Sequence, residues 1–243
     1  MNVSRSTSRS PRLRSGGRVA AATTAVAVAV GAFSCATAAA APTGPLPQFW
    51  MPNGNDSLLL NADAVAQITG TPGIGVGGVS SQFADSSKRV TPAACAALYQ
   101  PAEAQAYPHA TNVTTVVMSD ENNGAATHLV QQSVVGYADV TSARMEAVTV
   151  AATWSRCAGA ALTVKSGSGT RKNWTVGLPV PSNGEAVRVA TNLGPGGVCE
   201  RALTNRAAII VDVMSCALGG GDPAGQAGAI AAKIRDHVAE RDG

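Results

Sequence analysis

Four cysteines, Cys95, Cys157, Cys199 and Cys216, constrain the fold more than any other feature of the chain. No two are closer than 17 positions, no Cys-x-x-Cys occurs, and His109, His128 and His237 stand near none of them in sequence. Zinc sites bring ligands in pairs about two to four residues apart, and redox centres use Cys-x-x-Cys. The spacing therefore suits neither a metal nor a thiol centre, and an even set reads as two disulfides. Four cysteines allow three pairings. The sequential one closes loops of 62 and 17 residues, which chain entropy values at about 4 and 3 kcal/mol. A Cys199–Cys216 bridge would clamp a hairpin, "VCERAL" and "AAIIVDVMSC", with a turn near Thr204-Asn205-Arg206. Symmetric pairing instead centres on Ala207 and Ala208, and the residues leave that offset open.

Disulfides need an oxidising compartment, and the N-terminus supplies the route. Residues 1–40 carry Arg5, Arg9, Arg12, Arg14 and Arg18 without an acid, then the uncharged run "VAAATTAVAVAVGAF" and an Ala-rich end. These are the parts of a secretory signal, and the run is shorter than the roughly 20 residues that span a bilayer. Cys35 sits in this leader. "AFSC" is a poor lipidation box because Phe33 is bulky, while Ala-x-Ala cleavage sites follow it. Release after cleavage beyond Cys35 is the expectation; a lipid anchor on Cys35, and with it membrane attachment, is the alternative. The chain has 18 basic and 15 acidic residues; without the five leader arginines 13 face 15, a net of −2. No basic stripe for nucleic acid is visible. Aromatics make up 4 % of the chain, so the core is built from small aliphatic residues, each burying little area.

Residues 41–56, rich in Pro, Gly and Asn, read as an irregular linker, leaving 57–243 as one domain. "SLLLNADAVAQITG" reads as a short helix capped by Ser57 and stopped by Gly70, and the glycine-rich "TPGIGVGGVSSQ" as a loop. "TPAACAALYQPAEAQAY" starts as a helix at Thr91-Pro92 and is broken at Pro101. "TNVTTVVMS" and "THLVQQSVVGYA" flank the turn "DENNG" as an antiparallel pair. "DVTSARMEAVTVAATWSRCAG" is a helix with Asp139 or Thr141 as cap and an apolar series Met145, Val148, Ala152, Trp154, Cys157. A meander follows, "ALTVKS", "KNWTVGLPV", "EAVRVATNL" and the cysteine-bracketed segment, and a last helix carries Ile230, Ile234 and Val238. Strands grouped together indicate α+β, an antiparallel sheet flanked by helices.

"PAACAALY", "ARMEAVTVAATWSRCAG", "WTVG" and "VCERALTNRAAIIVDVMSC" together resemble the PknH-like extracellular sensor domain. That family occurs as the outer half of a mycobacterial receptor kinase and as secreted proteins and lipoproteins. The resemblance runs from about Ser57 to the C-terminus and is most specific at Trp154 to Gly159 and at "VDV" before the last cysteine. It implies the sequential disulfides and a sheet flanked by helices around a cleft, taking an unidentified small molecule or cell-envelope component. No spanning run follows the leader and no kinase signature is present. Ala207 and Ala208 stand where relatives often carry paired asparagines.

Catalytic, metal and cofactor motifs are not found: there is no Gly-x-Ser-x-Gly elbow, no Ser-x-x-Lys pair and no ligand cluster. Asp120 to Asn123 is read as a solvated hairpin tip rather than a calcium loop, and each histidine as a surface residue. Alternation along "IIVDVMS" sets Ile210, Asp212 and Met214 on one face. Asp212 is either half-solvated or lines a cleft, paired with Arg188 or Arg206. Trp154 and Trp174 are core anchors in the plainer reading, and Trp174 a cleft-lining residue in the sharper one. The expectation is a non-catalytic binding domain. An envelope hydrolase with a catalytic group of unfamiliar pattern, or a protein-partner module, is the alternative.

Overall fold

The computed structural model describes residues 56–122, 125–182, 186–192 and 197–242, and the side chains of 57–120, 125–179 and 197–241. The leader, Cys35 and most of the 41–56 linker lie outside them. One antiparallel sheet organises everything else. Its strands are β1 (Gly75–Ser80), β2 (Val90–Thr91), β3 (Asn112–Asn122), β4 (Ala125–Gly136), β5 (Ala161–Lys165), β6 (Arg171–Val176), β7 (Val180–Ser182), β8 (Ala186–Asn192), β9 (Val198–Arg206) and β10 (Ile209–Ala217). Their order is β1-β3-β4-β10-β9-β8-β6-β5-β2, with β7 paired to β8. Helices cover both faces: α2 (Val140–Arg156) one, α1 (Ala62–Thr69) and α3 (Gln226–Asp242) the other.

The two faces follow from period-two alternation along the central strands. Val135, Ile210 and Leu203 bury against α2, Trp154 and the Ala93–Leu98 segment. Val130, Val134, Val211, Val213 and Ala202 bury against Ile230, Ile234 and Val238 of α3. Cys199 stands directly opposite Cys216, and the strands run in unbroken register to Arg206 opposite Ile209. The turn is thus Ala207-Ala208 and not Thr204-Asn205, which continue β9. A polar pair with good turn propensity stays extended because β10 pairs with it, Thr204 opposite Val211 and Asn205 opposite Ile210. Ala207 meanwhile adopts φ +48°, a conformation that favours Gly or Asn.

Other local expectations shift for similar reasons. The glycine-rich stretch is edge strand β1, paired with β3 rather than looped; the existing strand overrides glycine's low propensity. Asn61, not Ser57, caps α1, its Oδ1 accepting from the Ala64 N–H at 2.9 Å, while Leu58 to Leu60 before it are buried. Ala93–Leu98 and Ala104–Ala106 are short 3-10 helices on either side of Pro101. Asp139 caps α2 by accepting from the Ser142 N–H at 2.9 Å. The buried face of α2 is Ala143, Glu146, Val150, Trp154 and Cys157, while Met145 and Val148 are 67 % and 65 % exposed. Trp154 and the Cys157 bridge set that rotation; the apolar series through Met145 does not.

Both disulfides, Cys95–Cys157 and Cys199–Cys216, form. The first joins the Ala93–Leu98 helix to the end of α2; the second lies within the β9–β10 hairpin. Because the constraint on the unfolded chain grows with loop length, replacing Cys95 and Cys157 by alanine should cost about 4 kcal/mol and replacing Cys199 and Cys216 about 3. Urea melts of the two double variants test this order, and a larger loss in the second pair contradicts it.

Candidate functional site

Asp212 is fully buried on the α2 face of the sheet. Register sets Arg201 opposite Met214 and Leu203 opposite Asp212, so Arg201 projects on the same face, one step along. Its guanidinium grips the carboxylate with two bonds, Nε to Oδ1 at 2.8 Å and Nη2 to Oδ2 at 2.6 Å. Tyr107 donates its hydroxyl to Oδ2 at 2.6 Å and the Ala102 N–H donates to the same atom at 3.2 Å. Arg201 Nη1 donates to the Ala97 carbonyl, and the guanidinium lies 4.7 Å from the centre of the Trp154 ring. Ala102 takes φ +57°, an unfavourable conformation for a non-glycine residue that aims its N–H at the carboxylate. Burial works against the Arg201 charge, but Asp212 more than offsets it and raises the pKa. Burial first, and then the Asp212 charge, push the Tyr107 hydroxyl far up, so it stays a donor.

Asp212 therefore neither faces solvent nor lines a cleft; it ties β10, β9 and the 97–107 segment together. Arg188 pairs with Ala202 and so occupies the opposite face of the sheet; its side chain lies outside the described residues. Arg206 alternates onto that opposite face too, exposed at the end of β9. Arg206 does not meet Asp212, and register alone sets Arg188 on the other face. Trp174 is buried in the core, its ring 5.0 Å from that of Tyr99. The cation that matters, Arg201, was not singled out from the sequence. The signal existed: with Cys199 set opposite Cys216, alternation puts Arg201 and Asp212 on one face.

On the α3 face, a serine, a histidine and an aspartate approach one another. His128 Nε2 lies 3.0 Å from Ser215 Oγ, and Asp120 accepts from the His128 backbone N–H. Hydrogen-bond direction argues against a nucleophile here. Gln226 donates its amide to the Thr69 carbonyl at 3.3 Å, which turns its Oε1 toward Ser215. Ser215 thus donates to Gln226 at 2.7 Å and must accept from His128, so Nε2 carries the proton and is no base for the hydroxyl. Ser215 is also fully buried, and His128 nearly so. Asp120 is itself buried and accepts from Thr127 as well, which is the geometry of a hairpin brace rather than a solvated tip. His109 is exposed, and His237 Nδ1 lies 3.0 Å from the Leu58 carbonyl.

Among the described residues, a cavity of about 490 Å³ opens at the Ala207-Ala208 end of the sheet. Its walls come from the β9–β10 turn (Ala207, Ala208, Ile209), the last turns of α3 (Val238, Arg241), Leu58 and Val140 at the start of α2. Small side chains in the turn leave the space that larger ones would fill. Arg241 is the cation on its wall, donating to Ser57 Oγ at 3.2 Å. Val140 is 56 % exposed, so an apolar side chain stands at the rim. The lining is mainly apolar with a single charge, the pattern of small-molecule pockets.

Residues 52–237 match the sequence model of the PknH-like extracellular domain. The serine/threonine-protein kinase PknH of Mycobacterium bovis is 30% identical over 185 residues, covering 75% of this chain and 30% of the kinase. Its counterpart in Mycobacterium tuberculosis (strain H37Rv) is also 30% identical, over 75% of this chain and 29% of that protein. The crystal structure of the extracellular domain of PknH from Mycobacterium tuberculosis matches with a TM-score of 0.67 and 25% identity, covering 82% of this chain and 100% of that one. This chain thus spans about 30% of the length of the curated kinases it matches.

Two outcomes test the site chemistry. Asp212→Ala leaves the Arg201 charge buried and unpaired, so it should cost about 3–5 kcal/mol in a denaturant melt; a loss below about 1 kcal/mol would make the pair ornamental. Burial lowers the His128 pKa against weaker opposing effects from Gln226 and Asp120. The unfolded chain then takes the proton first, so this contribution to stability is present above about pH 6.5 and lost as pH falls through the folded value. Glu146, raised by burial beneath α2, works in the opposite sense. The comparison that isolates His128 is therefore wild type against His128→Gln, whose stability should fall less between pH 7 and 5.

Proposed function

Because the chain belongs to the PknH-like extracellular domain family, we propose that it is an exported sensor-type domain that binds a small molecule or cell-envelope component without transforming it. Two disulfides fit an extracellular setting. The observation that carries the reading is the cavity at the β9–β10 turn. Its 490 Å³ falls inside the range of about 300–1,000 Å³ typical of ligand sites. The polar groups that an envelope hydrolase would need are engaged internally: Asp212 with Arg201 and Tyr107, Ser215 with Gln226 and His128. The kinase relatives carry a catalytic part to which this chain does not correspond, so phosphoryl transfer is no part of the proposal. On the leader residues alone we favour release over a lipid anchor on Cys35, a choice that the intact mass of the exported protein reads directly.

The lining suggests an apolar or amphipathic ligand whose polar end meets Arg241. Binding is tested by thermal unfolding in the presence of fractions of a cell-envelope extract. A ligand at 100 times its dissociation constant adds about 2.7 kcal/mol. Ala208→Phe fills the cavity at a position outside the left-handed region, and should abolish that gain while leaving the free protein folded. Equal gains in both proteins place the ligand elsewhere; no gain with any fraction ends the binding reading.

A further inference from the structure

The chain without its leader is slightly acidic, yet five of its cations lie on or beside one hairpin tip, Lys165 and Arg171 on one face and Lys172, in register with Val164, on the other. β5 ends at Lys165, which pairs with Arg171 at the start of β6; Lys172 follows, opposite Val164. On the other side of β5, Val90 pairs with Val164 and the Lys165 N–H donates to the Arg89 carbonyl at 2.8 Å. Lys88 and Arg89 therefore rise beside the same hairpin. All five side chains are exposed. Among the described residues no ion pair engages Lys165 or Arg171, although like charges directly opposite across two strands cost stability. Asp85 is the carboxylate that feels Lys88 and Arg89, and it is already engaged, accepting from the Ser87 hydroxyl at 2.6 Å and from its N–H at 3.0 Å.

We propose that this hairpin tip is a docking site for an anionic polysaccharide, one bearing carboxylate or phosphate groups. Charge complementarity supplies the attraction, and the rest of the tip selects the occupant. Between the cations, half-buried Ser166 and exposed Ser168 and Thr170 form a row of hydroxyls, spaced 2.8 and 3.3 Å apart, that offers hydrogen bonds to sugar hydroxyls. Residues 165–172 contain no apolar side chain to enter a bilayer. Beside them Arg89 lies 5.7 Å from the centre of the half-buried Tyr99 ring, adding a flat surface next to a charge. β6 pairs with β8 only through Thr175–Asn192 and Val176–Thr191, so its first residues run on beyond the end of β8, where β9 begins. Leu58, where the described chain begins to pack, lies at the opposite end of the sheet beside Ala207 and Ala208. The basic tip and the cavity thus lie at opposite ends of the sheet. The proposal is independent of the cavity and its ligand.

The experiment uses the purified domain with both disulfides intact and alginate as probe, with binding measured from 25 to 300 mM salt, a range chosen at roughly the scale over which counterion release dominates. Lys165→Gln/Arg171→Gln/Lys172→Gln should melt no lower than wild type, since it removes a repulsive pair. It should bind at least about tenfold more weakly at low salt, with a shallower dependence on salt concentration. Arg144→Gln/Arg156→Gln, which removes exposed cations from α2, should bind within about twofold of wild type. Equal affinity of the triple variant overturns the proposal, as does an equal loss in the α2 variant. Tighter binding to phosphatidylglycerol vesicles or to duplex DNA than to alginate overturns it in favour of those partners.

Discussion

The pair formed by Arg201 and Asp212 is the constraint on which the α2 side of the structure depends. The segment from Ala93 to Tyr107 contains no regular α-helix, and its contribution to the core is mostly alanine. Side chains of that size bury too little area to hold a loop against a sheet. Three polar contacts do so instead: Ala97 through its carbonyl, Ala102 through its N–H and Tyr107 through its hydroxyl, all converging on one ion pair. A buried pair gives little net stability over an apolar replacement. Its value here is positional. A one-residue slip of β10 would carry Asp212 to the α3 face, among Ala202 and Ile230, and away from Arg201 and Tyr107.

That logic also explains which parts of the fold were legible from the residues. The β3–β4 pair, α2, α3, the meander and the α+β class follow from alternation, caps and turn residues, and all appear in the structure. The failures share one cause: a distant partner overrode a local preference. Glycines entered β1 because β3 offered an edge. Thr204-Asn205 stayed extended because β10 paired with them, and the turn fell on Ala207-Ala208 despite the left-handed backbone this demands at Ala207. Met145 and Val148 lie outside because Trp154 and Cys157 fixed the rotation of α2. For Asp212 the alternation named the correct face, but the choice of partner required the register of β9 against β10. Arg188 and Arg206 were plausible by composition and excluded by parity.

The cavity depends on the same turn. In a two-residue hairpin connection, glycine or asparagine relieves the backbone at the first position; alanine leaves it strained and adds only a methyl group. Larger polar residues at 207 and 208 would project toward the last turns of α3 and convert an apolar recess into a filled or hydrophilic one. The strain at Ala207 is thus coupled to the space beside it. A substitution that relaxes the backbone by adding a polar side chain also changes the volume and polarity of the recess, so its lining is adjustable at this turn without altering the sheet.

Charge distribution completes the division of labour between the two ends. Inside the domain Arg201 is matched by Asp212, and Glu200 accepts from the Ala227 N–H at the start of α3. At the tip of β5 and β6 they are not, and the repulsion between Lys165 and Arg171 is tolerated where it could have been removed by a single neutral residue. Screening confines such a patch to about 8 Å at physiological salt, so it acts on what touches the tip and not on the cavity at the other end of the sheet. The proposed contact with an anionic polysaccharide and the proposed small-molecule site are therefore electrostatically separable on this scaffold, and occupation of one end would leave the other unoccluded.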